Sequence, residues 1–201
     1  MIKEKNRFGF SFLEMLISIG ILIVLVAVTV IVINPMEYLK QSRDSNRISD
    51  LTDINLFFSK YKYSGQRIDS LGNVNVVYVS LPSNLSDCSD LGLPTLVSGW
   101  NYRCATETNY RKTDGTGWLP IDLTVVSGGY GISALPVDPT NLVVGGRYYT
   151  YMIDSSLKFE IISSLESQKN IDKYAVSDGG IDDTKVEKGE NLLLWKEAMG
   201  L

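Results

Sequence analysis

The chain has 201 residues, 44% hydrophobic and 21% charged, with a formal net charge of −4. That length suits one membrane segment plus one exposed domain, and the acidic balance gives no general nucleic-acid binding footprint. Histidine is absent and only two cysteines occur, which excludes metal sites built on His or Cys pairs. The chain also lacks a histidine base, a G-x-S-x-G elbow and a phosphate-cradling loop, so no enzyme activity is expected.

Lys3, Lys5 and Arg7 stand against a single Glu4 at the start of the chain, an excess that holds the N-terminus in the cytoplasm and sends the residues beyond Ile33 outward. From Phe10 to Ile33 the apolar run is broken only by Ser11, Glu14, Ser18, Gly20 and Thr29. As a helix, Met15 to Ile33 spans roughly 28 Å, a bilayer core. Asn34-Pro35-Met36-Glu37 does not resemble a signal-peptide cleavage site. The small residue at the charged-to-apolar junction is Gly9, and a cut after it keeps the membrane helix and lowers the net charge to about −6.

Glu14 is the anomaly in this run. An ionised side chain inside a bilayer costs about 2.5–3.5 kcal/mol on insertion scales, so it marks a candidate functional residue. Cleavage after Gly9 creates an ammonium on Phe10, about one helical turn from Glu14. Between staggered subunits the amine of one chain can meet Glu14 of the next inside an apolar bundle, where an unpaired charge costs several kcal/mol. The pairing penalises wrong axial registers. The plainer reading is a carboxylate reaching the headgroups.

Beyond Ile33 the apolar residues become periodic. Leu39, Ile48, Leu51, Ile54, Phe58 and Tyr61 form one face of an amphipathic helix, with Lys40, Arg43, Asp44, Arg47, Asp50 and Asp53 on a solvated or neighbour-facing side. Pro35 predicts a kink or local melting at residues 31–35, within a combined helix of about 80 Å.

Loops and short strands come next. Val74 to Val79 reads as a first strand. Arg147 to Ile153 and Leu157 to Ser164, joined by Asp154-Ser155-Ser156, read as a hairpin whose tyrosines are core and strand-surface residues. In an oxidising compartment Cys88 and Cys104 pair, closing fifteen intervening residues and stabilising by roughly 3 kcal/mol. The tail from Ser177 to Glu190 is acidic and glycine-bearing, and Leu192 to Trp195 packs back on the sheet. The fold class is α+β, a long N-terminal helix packed on a small antiparallel sheet. Its parts are a leader (1–9), a transmembrane helix (10–34), an amphipathic helix (35–63) and an extracytoplasmic domain (64–201).

The run Gly9-Phe10-Ser11-Phe12-Leu13-Glu14-Met15-Leu16 resembles the prepilin motif of the type IV pilin and type II secretion pseudopilin superfamily. The resemblance implies the pilin fold, cleavage after Gly9 by a membrane prepilin peptidase, methylation of the Phe10 amine, and an assembly role for Glu14. Leu135-Pro136-Val137-Asp138-Pro139 and Lys158 to Glu166 resemble the family's sheet entry and the strand after it. Ser177 to Asp183 resembles the calcium-binding loop of major pseudopilins, implying Asp178, Asp182 and Asp183 as ligands; a solvated acidic turn with an aspartate capping a short helix stays open beside it. The implied partners are copies of the chain, minor pilins or pseudopilins, the peptidase and an ATPase-driven membrane platform. The implied location is the cytoplasmic membrane, then a periplasmic or extracellular filament. The alternative is a monomeric, signal-anchored extracytoplasmic binding module with its ligand in the loop between Tyr78 and Gly146.

Overall fold

The structure, a computed structural model, describes residues 9–63, 71–125 and 132–201. Most of the expected leader lies outside these residues. The chain divides after Leu39 into two compact units.

In the first unit, helix α1 (Phe12–Ile33) is followed by the start of helix α2 (Pro35–Tyr63). The break expected at Pro35 is a single residue, Asn34, in the left-handed conformation (φ 47°, ψ 73°). Asn34 tolerates that region better than most residues and ends α1. Its carbonyl accepts the Glu37 N–H at 2.9 Å, while Pro35 takes the first position of α2, where its missing N–H costs nothing. Neither helix melts.

In the second unit five strands pair in the order β2-β1-β3-β4-β5: β1 Val76–Val79, β2 Asn101–Arg103, β3 Thr150–Ile153, β4 Phe159–Ser164 and β5 Lys185–Gly189. The expected hairpin is β3–β4, with Tyr151 opposite Ile161 and Met152 opposite Glu160. The sheet is mostly antiparallel, but β2 runs parallel to β1 at one edge. Strand β5 is not legible as a strand from its residues: Lys-Val-Glu-Lys-Gly has one large apolar residue, and it pairs because β4 offers an edge beside it.

Residues directly opposite one another share a face, and both faces of this sheet are covered. Tyr78, Tyr151, Phe159 and Ile161 pack with Leu51, Ile54, Phe57, Phe58 and Tyr61 of α2; the Phe58 ring stacks on Phe159 at 4.2 Å and on Tyr151 at 5.0 Å between centroids. On the other face Val77, Val79, Met152 and Ile162 pack with Cys88, Cys104, Leu194 and Trp195. The hairpin tyrosines Tyr149 and Tyr151 are core, and the C-terminal Leu194 and Trp195 return to the sheet as expected.

The charged side of α2 departs from expectation. Arg47 and Asp44 are fully buried rather than solvated, whereas Leu39 is 53% exposed. Arg47 grips Asp138 through two bonds (Nε to Oδ2 2.6 Å, Nη2 to Oδ1 2.9 Å), and its Nη1 reaches Asp44 and Glu166, both at 2.7 Å. Asp44 accepts the backbone N–H groups of Glu166 and Ser167. Asp138 accepts the N–H and hydroxyl of Thr140, each at 2.8 Å. Every carboxylate oxygen buried in this cluster thus has a donor, the condition under which such a cluster is tolerated. Arg43, at the rim, holds Glu166 through a further pair of bonds.

Removing Arg47 leaves three carboxylates without their shared cation. Arg47→Ala should lower unfolding free energy by about 3–5 kcal/mol, read from denaturant midpoints of the full chain in micelles. Arg43→Ala, at the more exposed edge, should cost about 1 kcal/mol or less; equal losses would contradict the central place of Arg47.

Candidate functional site

Every residue of α1 is exposed, and the helix is 22 residues long, about 33 Å. Among the described residues it supplies the apolar window long enough to cross a membrane. Its hydroxyls are satisfied internally, Ser18 on the Glu14 carbonyl and Thr29 on the Leu25 carbonyl, each at 2.7 Å. Glu14 is the only charged side chain in the helix.

The structure places Glu14 at the third position of α1, where one carboxylate oxygen accepts the Ser11 backbone N–H at 3.1 Å. Negative charge in a first turn is favoured by the helix dipole, so Glu14 is part of the helix start as well as a charge in an apolar run. Ser11 is the site residue that the cleavage motif does not point to. Its own signal is Ser11-Phe12-Leu13-Glu14, an S-x-x-E capping pattern. Gly9 and Phe10 precede the helix in irregular, exposed backbone, so the expected scissile bond lies outside hydrogen-bonded structure.

Cys88 and Cys104 form the expected disulfide, with Cα atoms 5.5 Å apart. The acidic tail is arranged differently from a calcium cage. Asp178 accepts the Gly180 N–H (2.8 Å) and the Glu187 N–H (2.7 Å), so it closes the loop onto the outer edge of β5. Asp182 accepts the N–H and hydroxyl of Thr184 and pairs with Lys185; it starts a strand rather than capping a helix. Asp183 is exposed. Calcium takes six to eight oxygens, and among the described residues no group of three acidic or cysteine side chains is placed to hold a metal. The three aspartates do not fit that ion as arranged.

The carboxyl groups that stand out are two that no sequence pattern marks. Glu160 is fully buried; its Oε2 accepts the Trp195 N–H at 2.7 Å while its Oε1 has no partner among the described residues. Glu187, also buried, accepts the Ile181 N–H at 2.6 Å. A Cβ on Gly180 would stand 1.4 Å from that Glu187 oxygen, so a side chain there would displace the Glu187 carboxylate. Burial pushes Glu160 up to about 8 and Glu187 up to about 7, each aided by a neighbouring carboxylate. Their paired partners, Gly189 and Ile162, put both on one sheet face, beneath the C-terminal helix Leu194–Met199.

Comparison of the chain with protein-family models, with curated proteins and with solved structures finds no match. The class that the geometry itself defines is an α+β domain preceded in sequence by an exposed apolar helix.

A carboxyl whose folded pKa is raised contributes stability below its unfolded value, here 4.5, and loses it as pH rises through the folded value. Melting temperature should therefore fall between about pH 5 and pH 8.5, and Glu160→Gln, which keeps an acceptor for the Trp195 N–H, should flatten the upper part of that fall. Glu166, held down to about 2 chiefly by Arg43, acts oppositely and loses its contribution as pH drops below 4.5. An upper limb unchanged in Glu160→Gln would contradict this assignment.

Proposed function

We propose that the chain is the subunit of a type IV pilus-like or type II secretion pseudopilus filament. It is inserted in the cytoplasmic membrane with its N-terminus inside, cut after Gly9 by a prepilin peptidase, methylated at Phe10, and drawn by a membrane platform into a helical assembly. Copies of the chain form the bulk, joined by minor pilins or pseudopilins. The observation that carries this reading is α1: a fully exposed apolar helix of membrane length whose one charge, Glu14, sits in its first turn immediately after an irregular Gly9-Phe10 junction. Such a surface requires lipid or other helices around it.

In the membrane-inserted chain Glu14 has the Ser11 N–H and the helix dipole as partial compensation. Cleavage adds a full positive charge on Phe10, and a neighbour's Glu14 in an apolar bundle is its strongest available partner. A monomeric anchor does not need that charge, because the capping bond alone starts its helix.

Glutamine separates the two roles, since it also completes the capping pattern but carries no charge. Glu14→Gln should be inserted and processed like the native chain, with a mature N-terminus at Phe10 by terminal sequencing, yet should enter sheared filaments at least about tenfold less. Normal assembly of Glu14→Gln would overturn the charge pairing, and a mature chain beginning after Ile33 would overturn the whole reading.

A further inference from the structure

The loop closed by the Cys88–Cys104 disulfide carries a concavity that the filament reading does not use. It is about 380 Å³ and lined by Asp87, Pro94, Thr95, Trp100, Asn101 and Tyr102, among others, within the roughly 300–1,000 Å³ of ligand pockets. It lies wholly in the unit Lys40–Leu201.

Its walls are fixed although they have little regular secondary structure. The disulfide closes the loop, the Leu91 N–H bonds to the Cys88 carbonyl and the Trp100 N–H to the Val97 carbonyl, while the Val97 N–H reaches Ala198 of the C-terminal helix at 2.9 Å. Tyr102 donates its hydroxyl to the Pro94 carbonyl at 2.8 Å, which sets the ring across the loop. A loop held this way on a sheet edge is pre-organised, and binding residues concentrate on such loops.

Several polar groups in this concavity are unspent. Among the described residues, the Trp100 indole N–H, the Asn101 amide and the Thr95 hydroxyl have no hydrogen-bond partner, and Asp87 uses only Oδ1, which accepts the Ser89 N–H and hydroxyl. Those bonds lower the Asp87 pKa, so it is ionised at neutral pH. Among the described residues no lysine or arginine lines the space, and a carboxylate without a cation repels anions. An organic cation would suit Asp87 and the rings but offers nothing to the Trp100 and Asn101 donors. Hydroxyls both donate and accept, and the C–H face of a pyranose packs on an aromatic ring.

We infer that this concavity is a binding site for a neutral saccharide, with Trp100 and Tyr102 as the ring platform and Asp87 and Asn101 as the hydroxyl-reading groups. This goes beyond the filament reading and does not depend on it, since the pocket is complete in one chain.

The full chain, in micelles of a detergent without a sugar headgroup, is applied to an array of neutral, anionic and amine-bearing glycans, and the best neutral oligosaccharide is titrated by tryptophan fluorescence. Saturable binding of a neutral glycan is expected. Asn101→Ala, which alters an exposed side chain, should weaken it about tenfold with an unchanged melting temperature, and Trp100→Phe should weaken it less than Trp100→Ala. No neutral glycan bound, a preference for anionic glycans, or binding untouched in both Asn101→Ala and Trp100→Ala would overturn the proposal. So would binding of choline, titrated in parallel, without binding of neutral glycans.

Discussion

Arg47 is the point through which the domain is tied together. One guanidinium contacts a carboxylate on its own helix, a second in the Leu135–Pro139 stretch and a third just after β4. The helix and the nearer of the other two segments are 91 residues apart in sequence, and Leu135 and Leu165 of those segments also share the core with Leu51 of α2. Burying such a cluster gains little net energy over an apolar substitute, but an incomplete cluster is heavily penalised. The network therefore acts mainly on register. It ties α2 to the Leu135–Pro139 stretch and to the segment after β4, beside the stacking of Phe58 on Tyr151 and Phe159.

The two ends of the helical region differ in burial. Leu51, Ile54, Phe57, Phe58 and Tyr61 are in the core, and α1 has no buried residue at all. In the filament reading, the bare α1 and the packed face of α2 serve two environments. The Asn34–Pro35 break marks the change: the α1 pattern is hydrocarbon throughout, and the α2 pattern is amphipathic. Glu14 gains a second meaning in this setting. Its bond to Ser11 already satisfies part of the carboxylate in a single chain, so the charge is tolerable before assembly and, in the filament reading, gains its full partner only after it.

Elements are legible in the sequence to the degree that their signals are local. The α1 run, the β3–β4 hairpin and the disulfide rest on near-neighbour patterns, and each is present in the structure. Arg47 reads as solvated because residue type and helical face argue for water, and nothing near it announces Asp138 as its partner. Asp138 itself stands out only through a resemblance in its surroundings. Strand β5 is hidden because its stability comes from pairing with β4 and from Asp178 capping its outer edge, both tertiary facts. The aspartates of the tail form a group by sequence spacing, whereas in the structure Asp178 and Asp182 are each engaged by their own local donors. Ser11 is legible in principle, but the charge on Glu14 draws the eye away from the capping pattern the two residues share.

In the filament reading, α1 lies in an apolar bundle with its charge paired across subunits. Electron cryomicroscopy of filaments sheared from cells expressing the chain tests this most directly. The expected map shows α1 helices bundled on the filament axis, with the Phe10 amine of one subunit within salt-bridge distance of Glu14 in a neighbour. A chain found only as a membrane-anchored monomer, or a filament whose α1 helices are apart and whose Glu14 faces solvent, would contradict it.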